Sequence, residues 1–315
     1  MLEMSEQRTI YVIGSSNTDM VIKTEKLPVP GETVMGGAFL MNPGGKGANQ
    51  AVTAARLGGQ VAFIAKIGND VFGKQAIQQF QREKINTTFV STDTDLASGV
   101  ALINVDALGE NCIAVAPGAN SQLTYYEVET ALDTVSESAM VLLQLEIPLP
   151  TVEYAIRRSH EKGLRVLLNP APAQVLSPEL LGYLYLITPN ESEAELLTGV
   201  KVTNATTAEL AARKLQAMGV CNVIITLGSK GAYLHNDTVS ELIPAPPVTA
   251  IDTTAAGDCF NGALAVALAE HQPLHQAVAF ACKAASISVT RMGAQASIPY
   301  RREVDAMPLV SVLNS

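Results

Sequence analysis

The sequence predicts an α/β protein whose mainly parallel central sheet is flanked by helices and carries a small β-sheet lid. Three observations lead there. Short β-branched runs alternate with longer stretches of helical period, two turn-punctuated segments depart from that alternation, and polar residues fall directly behind the strand-like runs. Alternating strands and helices build a parallel sheet covered on its faces, and ligands bind such an open sheet beyond the C-terminal ends of its strands.

In chain order, strands are expected at Ile10 to Ile13, Val141 to Leu145, Val166 to Leu168, Leu184 to Ile187 and Val223 to Thr226. Helices are expected at Ala48 to Leu57, Ala208 to Met218 and Phe260 to Glu270. Leu27 to Asn42 is extended and interrupted by Gly and Pro, while Gly99 to Ala116 alternates about a turn at Asp106 to Asn111, as a β-hairpin does. These two segments are expected to form the lid, inserted into one domain over residues 9–306, with tails at 1–8 and 307–315. Asn17, Asp19, Glu146, Asn169, Asn190 and Thr226 each follow a predicted strand, where a ligand would sit.

With 315 residues, 48% of them hydrophobic, the chain can bury a sizeable core. Its 21 Lys and Arg against 30 Asp and Glu leave a net charge of −9, which offers no basic footprint for nucleic acid or an anionic membrane. A small molecule is the expected partner. If it is an anion, its charge has to be met locally, by backbone N–H groups, helix N-termini and metal ions. Cys112, Cys221, Cys259 and Cys282 form no CxxC pair, which fits reduced thiols in a cytoplasmic protein. His271 and His275 have the spacing of helical metal ligands, but Pro273 breaks that helix, so both are read as surface residues. The N-terminus, MLEMSEQRT, has no apolar signal core, and the longest apolar stretch, Gly262 to Ala269, is too short to span a bilayer.

The motifs carry the chemistry. Asn17 and Asp19, two apart on an extended backbone, point to one face and could grip hydroxyls, or could close the strand as an Asx turn. Gly44-Gly45-Lys46-Gly47-Ala48-Asn49-Gln50 is a glycine-rich helix entry that lets a ligand approach the backbone closely. It is no Walker A loop, since Gly47 follows Lys46, and no dinucleotide fingerprint, since Gln50 replaces the third glycine. That second departure also counts against a dehydrogenase. Glu146 closes an apolar strand ahead of Pro148 and is either a site carboxylate or a solvated loop residue. Asn190 and Glu193 have the spacing of a capping box, a role compatible with phosphate contact and with metal-bound water. Thr226-Leu227-Gly228-Ser229-Lys230-Gly231 is a hairpin turn or a phosphate-contacting loop. In Asp252-Thr253-Thr254-Ala255-Ala256-Gly257-Asp258, small residues lead into a helix and leave its first N–H groups open as an anion hole. Asp258 there is either a helix cap or a general base kept ionised by the helix dipole.

The order of these motifs resembles the ribokinase-like, or PfkB, family of carbohydrate and nucleoside kinases, from about Thr9 to about Ala306. The diagnostic runs are GGKGANQ and DTTAAGD, separated in family order by QLE, NPAP, TPNESE and TLGSKG. The resemblance implies ATP-dependent transfer of a phosphoryl group to a sugar. Asn17, Asp19, Gly45, Lys46, Asn49 and Glu146 would contact the sugar, and Asp258 would be the base, acting on O5 if the sugar is D-ribose. Ala255, Ala256 and Gly257 would form the anion hole. Asn190, Thr226, Gly228, Ser229, Gly231, Gly257 and Cys282 would contact ATP, and Glu193 would organise Mg²⁺ through water. A monovalent cation, K⁺, would lie near Asp252, Thr254, Ser288, Arg291, Gly293 and Ser297, partly through backbone oxygens. The lid would cover the sugar and make a homodimer contact. Ala255 stands where the broad family signature has Gly, as in the ribose-phosphorylating branch, and Cys282 stands near the adenine where relatives often carry His. Deoxyribose, a ketohexose or a nucleoside are the alternative acceptors, and a non-catalytic sugar-binding protein is the alternative class.

Overall fold

A computed structural model describes residues 8–308. The strands are β1 Ile10–Ile13, β2 Asn17–Lys23, β3 Phe39–Gly44, β4 Val61–Gly68, β5 Val90–Asp93, β6 Gly99–Val105, β7 Asn111–Ala116, β8 Met140–Leu143, β9 Arg165–Leu168, β10 Leu186–Ile187, β11 Asn222–Thr226, β12 Ala232–His235 and β13 Ser240–Ile243. The helices are α1 Lys46–Arg56, α2 Val71–Arg82, α3 Tyr125–Leu132, α4 Leu149–Glu161, α5 Pro178–Leu181, α6 Glu191–Thr198, α7 Ala205–Ala217, α8 Ala256–Ala269, α9 Leu274–Ser288, α10 Ala294–Ser297 and α11 Arg301–Ala306.

Nine strands form the main sheet in the order β13-β12-β11-β10-β9-β8-β1-β4-β5. Pairing is parallel from β11 through β5 and antiparallel only where β12 and β13 extend the far edge. Side chains of a strand alternate between faces, and both faces here are covered. Ile10 and Val12 of β1 join the core against α1, α8 and α9, while Tyr11 and Ile13 join the core against α3, α4 and α7. This two-sided burial explains why β1 and β8 carry no charged or small polar residue and why the polar positions of β9 and β11, Arg165, Asn222 and Thr226, fall at strand ends.

Two glycines set how closely the helices approach the sheet and each other. A Cβ on Gly47 would stand 2.6 Å from the Gly14 carbonyl carbon, so the start of α1 lies directly on the end of β1. A Cβ on Gly262 would stand 2.6 Å from Thr53 Cβ and 2.7 Å from the Gln50 carbonyl, so α8 packs backbone-close on α1. These contacts bring two motifs from opposite ends of the chain together.

The lid differs from its expected extent. It is a four-stranded sheet, β3-β2-β6-β7, with β2 and β6 parallel and the two outer pairs antiparallel. The hairpin expected over Gly99 to Ala116 is β6 and β7. Of the piece expected over Leu27 to Asn42, only the end from Phe39 is strand, and β2, Asn17–Lys23, is an inner lid strand that the sequence reading left out. The reason is physical: Asn17 and Asp19 place polar groups where a strand pattern would show apolar ones, because that face looks into the site. Among the described residues, no helix is long and apolar enough to cross a membrane.

Candidate active site

The residues expected to contact a sugar converge at the foot of the lid. Asn17 and Asp19 lie on β2 rather than in an Asx turn, and their register partners on β3 are Gly44 and Asn42. Asn17 Oδ1 accepts from Asn120 Nδ2 at 2.8 Å, over Gly99, where a Cβ would stand 2.1 Å from that oxygen. Asp19 lies over Gly44 in the same way, with its Oδ2 2.2 Å from where a Cβ would be. Gly45 has φ +88°, and a Cβ there would lie 2.7 Å from the Asn17 amide nitrogen, so glycine is required on both counts. The Lys46 amide donates to Glu146 Oε2 at 3.0 Å, and Ser15 Oγ donates to the same oxygen at 2.5 Å. Glu146 thus joins β8 to the glycine-rich entry rather than facing solvent.

Asp258 lies in the first turn of α8, which starts at Ala256, four residues earlier than expected. It is not the cap: the N-cap is Ala255, in the left-handed region at φ 59°, with no side-chain hydrogen bond. The Asp258 carboxylate turns instead toward α1, accepting from Asn49 Nδ2 at 2.9 Å on Oδ2 and from Gln50 Nε2 at 3.0 Å on Oδ1. Burial raises its pKa, against the pull of the Lys46 ammonium and the two carboxamide donors. Burial raises Asp19 to about 6, helped by the charges of Glu146 and Asp258 and opposed by Lys46. For Lys46, burial works against the charge, but Asp258, Glu146, Glu193 and Asp19 outweigh it and raise the pKa. One buried cation therefore stands among four carboxylates.

On the other side of Asp258 lies a cavity of about 530 Å³. Asn190, Thr226, Gly228, Ser229, Gly231, Gly257 and Cys282 all line it, and Pro246, Val248 and Phe260 give it an apolar wall. Asn190 and Glu193 form the capping box of α6, with Glu193 N donating to Asn190 Oδ1 and Asn190 N donating to Glu193 Oε2, each at 2.9 Å. Burial raises the Glu193 pKa, opposed by the Asn190 N–H and Lys46. At the start of α8, the Ala256 amide donates to the Thr253 carbonyl at 3.2 Å, whereas no such bond engages the amides of Ala255, Gly257 or Asp258 among the described residues. The open amides at this helix start are therefore those of Ala255, Gly257 and Asp258, without Ala256, whose N–H closes the turn.

The six residues expected around a monovalent cation come from the segment before α8 and from the stretch between the end of α9 and the end of α10, which are tied together. Asp252 Oδ2 accepts from the Gly293 amide at 2.8 Å, Asp252 Oδ1 accepts from the Thr254 amide and hydroxyl, and the Ile251 amide donates to the Val289 carbonyl at 2.7 Å. Burial opposes the Asp252 charge, yet the Thr254 and Gly293 donors hold its pKa low. Ser288 and Ser297 spend their hydroxyl protons on Ala285 and Ala294 carbonyls, and the Arg291 guanidinium faces Glu303. Any cation here would be held by carbonyl and hydroxyl oxygens, the hard donors that alkali and alkaline-earth ions favour. Among the described residues, no group of three His, Cys, Asp or Glu side chains is arranged to hold a metal ion. His275 pairs with Glu241, and α9 starts at Leu274, just after Pro273.

Sequence reasoning gave no role to Gln144, Gln50, Thr188 or Asn261, whereas Asn169 was expected at a strand end. Gln144 Nε2 donates to Gln50 Oε1 at 2.7 Å, Gln50 Nε2 to Asn169 Oδ1 at 3.0 Å, Thr188 Oγ1 to Asn261 Oδ1 at 2.6 Å and Asn261 Nδ2 to the Gly257 carbonyl at 2.8 Å. The available signal was Asn261, a lone carboxamide in an otherwise apolar helix. Ser15 and Asn120 carried no comparable mark.

Comparison with known proteins identifies the family. A model of the pfkB family of carbohydrate kinases matches residues 7–301. Ribokinase from Haemophilus influenzae is 46% identical over 297 residues, covering 94% of this chain and 97% of that protein. The crystal structure of ribokinase from Thermotoga maritima is similar with a TM-score of 0.87 and 43% identity, over 95% of this chain and 98% of that one. The ribokinase of Arabidopsis thaliana, complexed with ribose and ATP, is similar with a TM-score of 0.86 and 30% identity, again over 95% and 98%. With the family match spanning nearly its whole length, and carboxylates, anion hole and lid assembled at one sheet edge, this chain belongs to the pfkB family of carbohydrate kinases.

Proposed function

We propose that the protein transfers the γ-phosphoryl group of ATP to O5 of D-ribose, giving ribose 5-phosphate and ADP. The observation that carries this reading is the position of Asp258. It touches Asn49 of the sugar-side cluster and adjoins Gly257 of the nucleotide-sized cavity. Phosphoryl transfer asks a protein mainly for alignment and charge neutralisation. Asp258 takes the proton of the attacking hydroxyl, and the Gly257 amide with its unpaired neighbours stabilises charge on the transferred group. Asn17, Asp19, Gly45, Lys46, Asn49 and Glu146 hold the sugar. Asn49 Oδ1 is buried without a partner, which suits an acceptor for a sugar hydroxyl.

Asn190, Thr226, Gly228, Ser229, Gly231 and Cys282 hold the nucleotide. Mg²⁺, brought with ATP, would neutralise phosphate charge, and Glu193 would organise its water shell. K⁺ would be held by the loops at Asp252, Thr254, Ser288, Arg291, Gly293 and Ser297. Support for a homodimer comes from the lid. Phe39, Met41 and Leu102 are exposed on one face and Leu40, Ile113 and Val115 on the other. Closure over the site covers one face only, which leaves the other for a second copy. The balance of charge and the unpaired thiols fit a cytoplasmic location.

The test is ADP release measured over ribose, deoxyribose, fructose and nucleosides, each with and without K⁺. Ribose is expected to give the highest kcat/KM, with K⁺ raising it. A higher value for another acceptor would reassign the substrate, and no sugar-dependent ADP release across the panel would leave a sugar-binding protein.

A further inference from the structure

Gln50 is fully buried in α1, and three of the four hydrogen-bonding directions of its carboxamide are used. Its Oε1 accepts from Gln144 Nε2 at 2.7 Å, while its Nε2 donates to Asp258 Oδ1 and to Asn169 Oδ1, both at 3.0 Å. These partners force one orientation. Turned over, the amide would set its oxygen against two acceptors and its NH₂ against the NH₂ of Gln144. Gln144 is itself seated by a glycine, since a Cβ on Gly14 would stand 2.0 Å from Gln144 Oε1. Asn169 continues the chain by donating to the Thr188 carbonyl at 3.4 Å.

A leucine or methionine at position 50 would fill the same space without drawing further polar groups into the core. What the carboxamide adds is a donor fixed on one oxygen of Asp258. We propose that Gln50 is a positioning residue for phosphoryl transfer: backed by Gln144, it clamps Asp258 Oδ1 while Asn49 holds Oδ2, so the carboxylate cannot rotate away from the acceptor hydroxyl. This inference rests on Asp258 being the base.

The clamp has an electrostatic consequence that a packing role lacks. A donor on the carboxylate favours its ionised form, so its loss moves the acid limb of the rate profile to higher pH. The other charges near Asp258, which are Lys46 on α1, Glu146 after β8, Asp19 on β2 and Glu193 on α6, stay in place in the variant.

The experiment measures kcat, both KM values, the kcat–pH profile and thermal unfolding for Gln50→Met, Gln144→Met and Asp258→Asn beside the wild type. Gln50→Met is expected to lower kcat about 10- to 100-fold, part of the roughly 10²- to 10⁴-fold a positioned base contributes, with KM values within about 3-fold. Its acid limb is expected to move up by about 1 to 2 pH units, the loss of about one hydrogen bond to a charged group. Gln144→Met, which leaves Asp258 untouched, is expected to shift both readouts in the same direction by less, and it decides the matter if Gln50→Met does not fold. An acid limb superimposable on the wild type in the folded variants overturns the proposal. Wild-type turnover by Asp258→Asn instead overturns the base assignment, whatever Gln50 does.

Discussion

Asn49 Nδ2 donates to Asp258 Oδ2 at 2.9 Å, joining residues 209 positions apart and locking helix α1 to helix α8. Replacement of Asp258 by Asn keeps shape and hydrogen-bonding capacity but removes the proton acceptor. Turnover is expected to fall about 10²- to 10⁴-fold. Ribose affinity by calorimetric titration should stay within a few-fold and circular dichroism should be unchanged. Turnover at the wild-type level would exclude Asp258 as the base.

Asp19 gives a pH-dependent stability prediction. Its pKa is raised from the ordinary 3.8 to about 6 in the folded protein. Ionisation is thus harder in the native state than in the unfolded one, so the native state loses stability as pH rises from about 3.8 through about 6 and loses none below that window. Asp19→Asn removes that cost. It should stabilise the ligand-free protein at pH 7.5 by up to about 3 kcal/mol, a gain that vanishes near pH 3.5, while weakening sugar binding. Urea unfolding at the two pH values checks this, and equal stability of variant and wild type at pH 7.5 would contradict it.

Ala255 holds the left-handed conformation at φ 59° as the N-cap of α8, a position where glycine carries no Cβ strain. Ala255→Gly should relieve about 1 kcal/mol of that strain, partly offset by the greater freedom of the unfolded chain. The expected net result is a melting temperature raised by about 1 to 2 °C. Ala255→Val, β-branched at the same φ, should be clearly destabilised, and differential scanning fluorimetry of both variants decides.

The lid predicts a concentration-dependent assembly. Met41 and Leu102 are 46% and 53% exposed on the same face of the small sheet. The double variant Met41→Glu, Leu102→Glu should sediment as a monomer where the wild type sediments as a dimer. A monomeric wild type at micromolar concentration would remove this reading of the lid.

Much of the architecture was legible along the chain because its causes are local. Strands buried on both faces are mostly apolar, as Ile10 to Ile13 and Val223 to Ile225 are, and helix α1 announces itself by its glycine entry and by Gly58 at its stop. The capping box of Asn190 and Glu193 could be read from spacing, since its partners are three residues apart. Strand β2 could not. Its polar residues satisfy a ligand-facing surface rather than a strand pattern, and its partners Phe39–Gly44 and Gly99–Val105 are far along the chain.

For Asp258 the division is clearest. By itself the sequence determined that an acidic residue follows a run of small ones at a helix start, where backbone N–H groups are open and an anion is favoured. It left cap and base as equal readings, because either role needs only a carboxylate in that turn. The tertiary structure removed the cap reading, since Ala255 takes that place, and left the base to the measurement of Asp258→Asn turnover. Gly262 lets α8 lie against α1, and that approach turns the Asp258 side chain away from its own helix end and onto the carboxamides of Asn49 and Gln50. The choice depends on a contact across more than 200 residues, which no local rule of spacing or propensity contains.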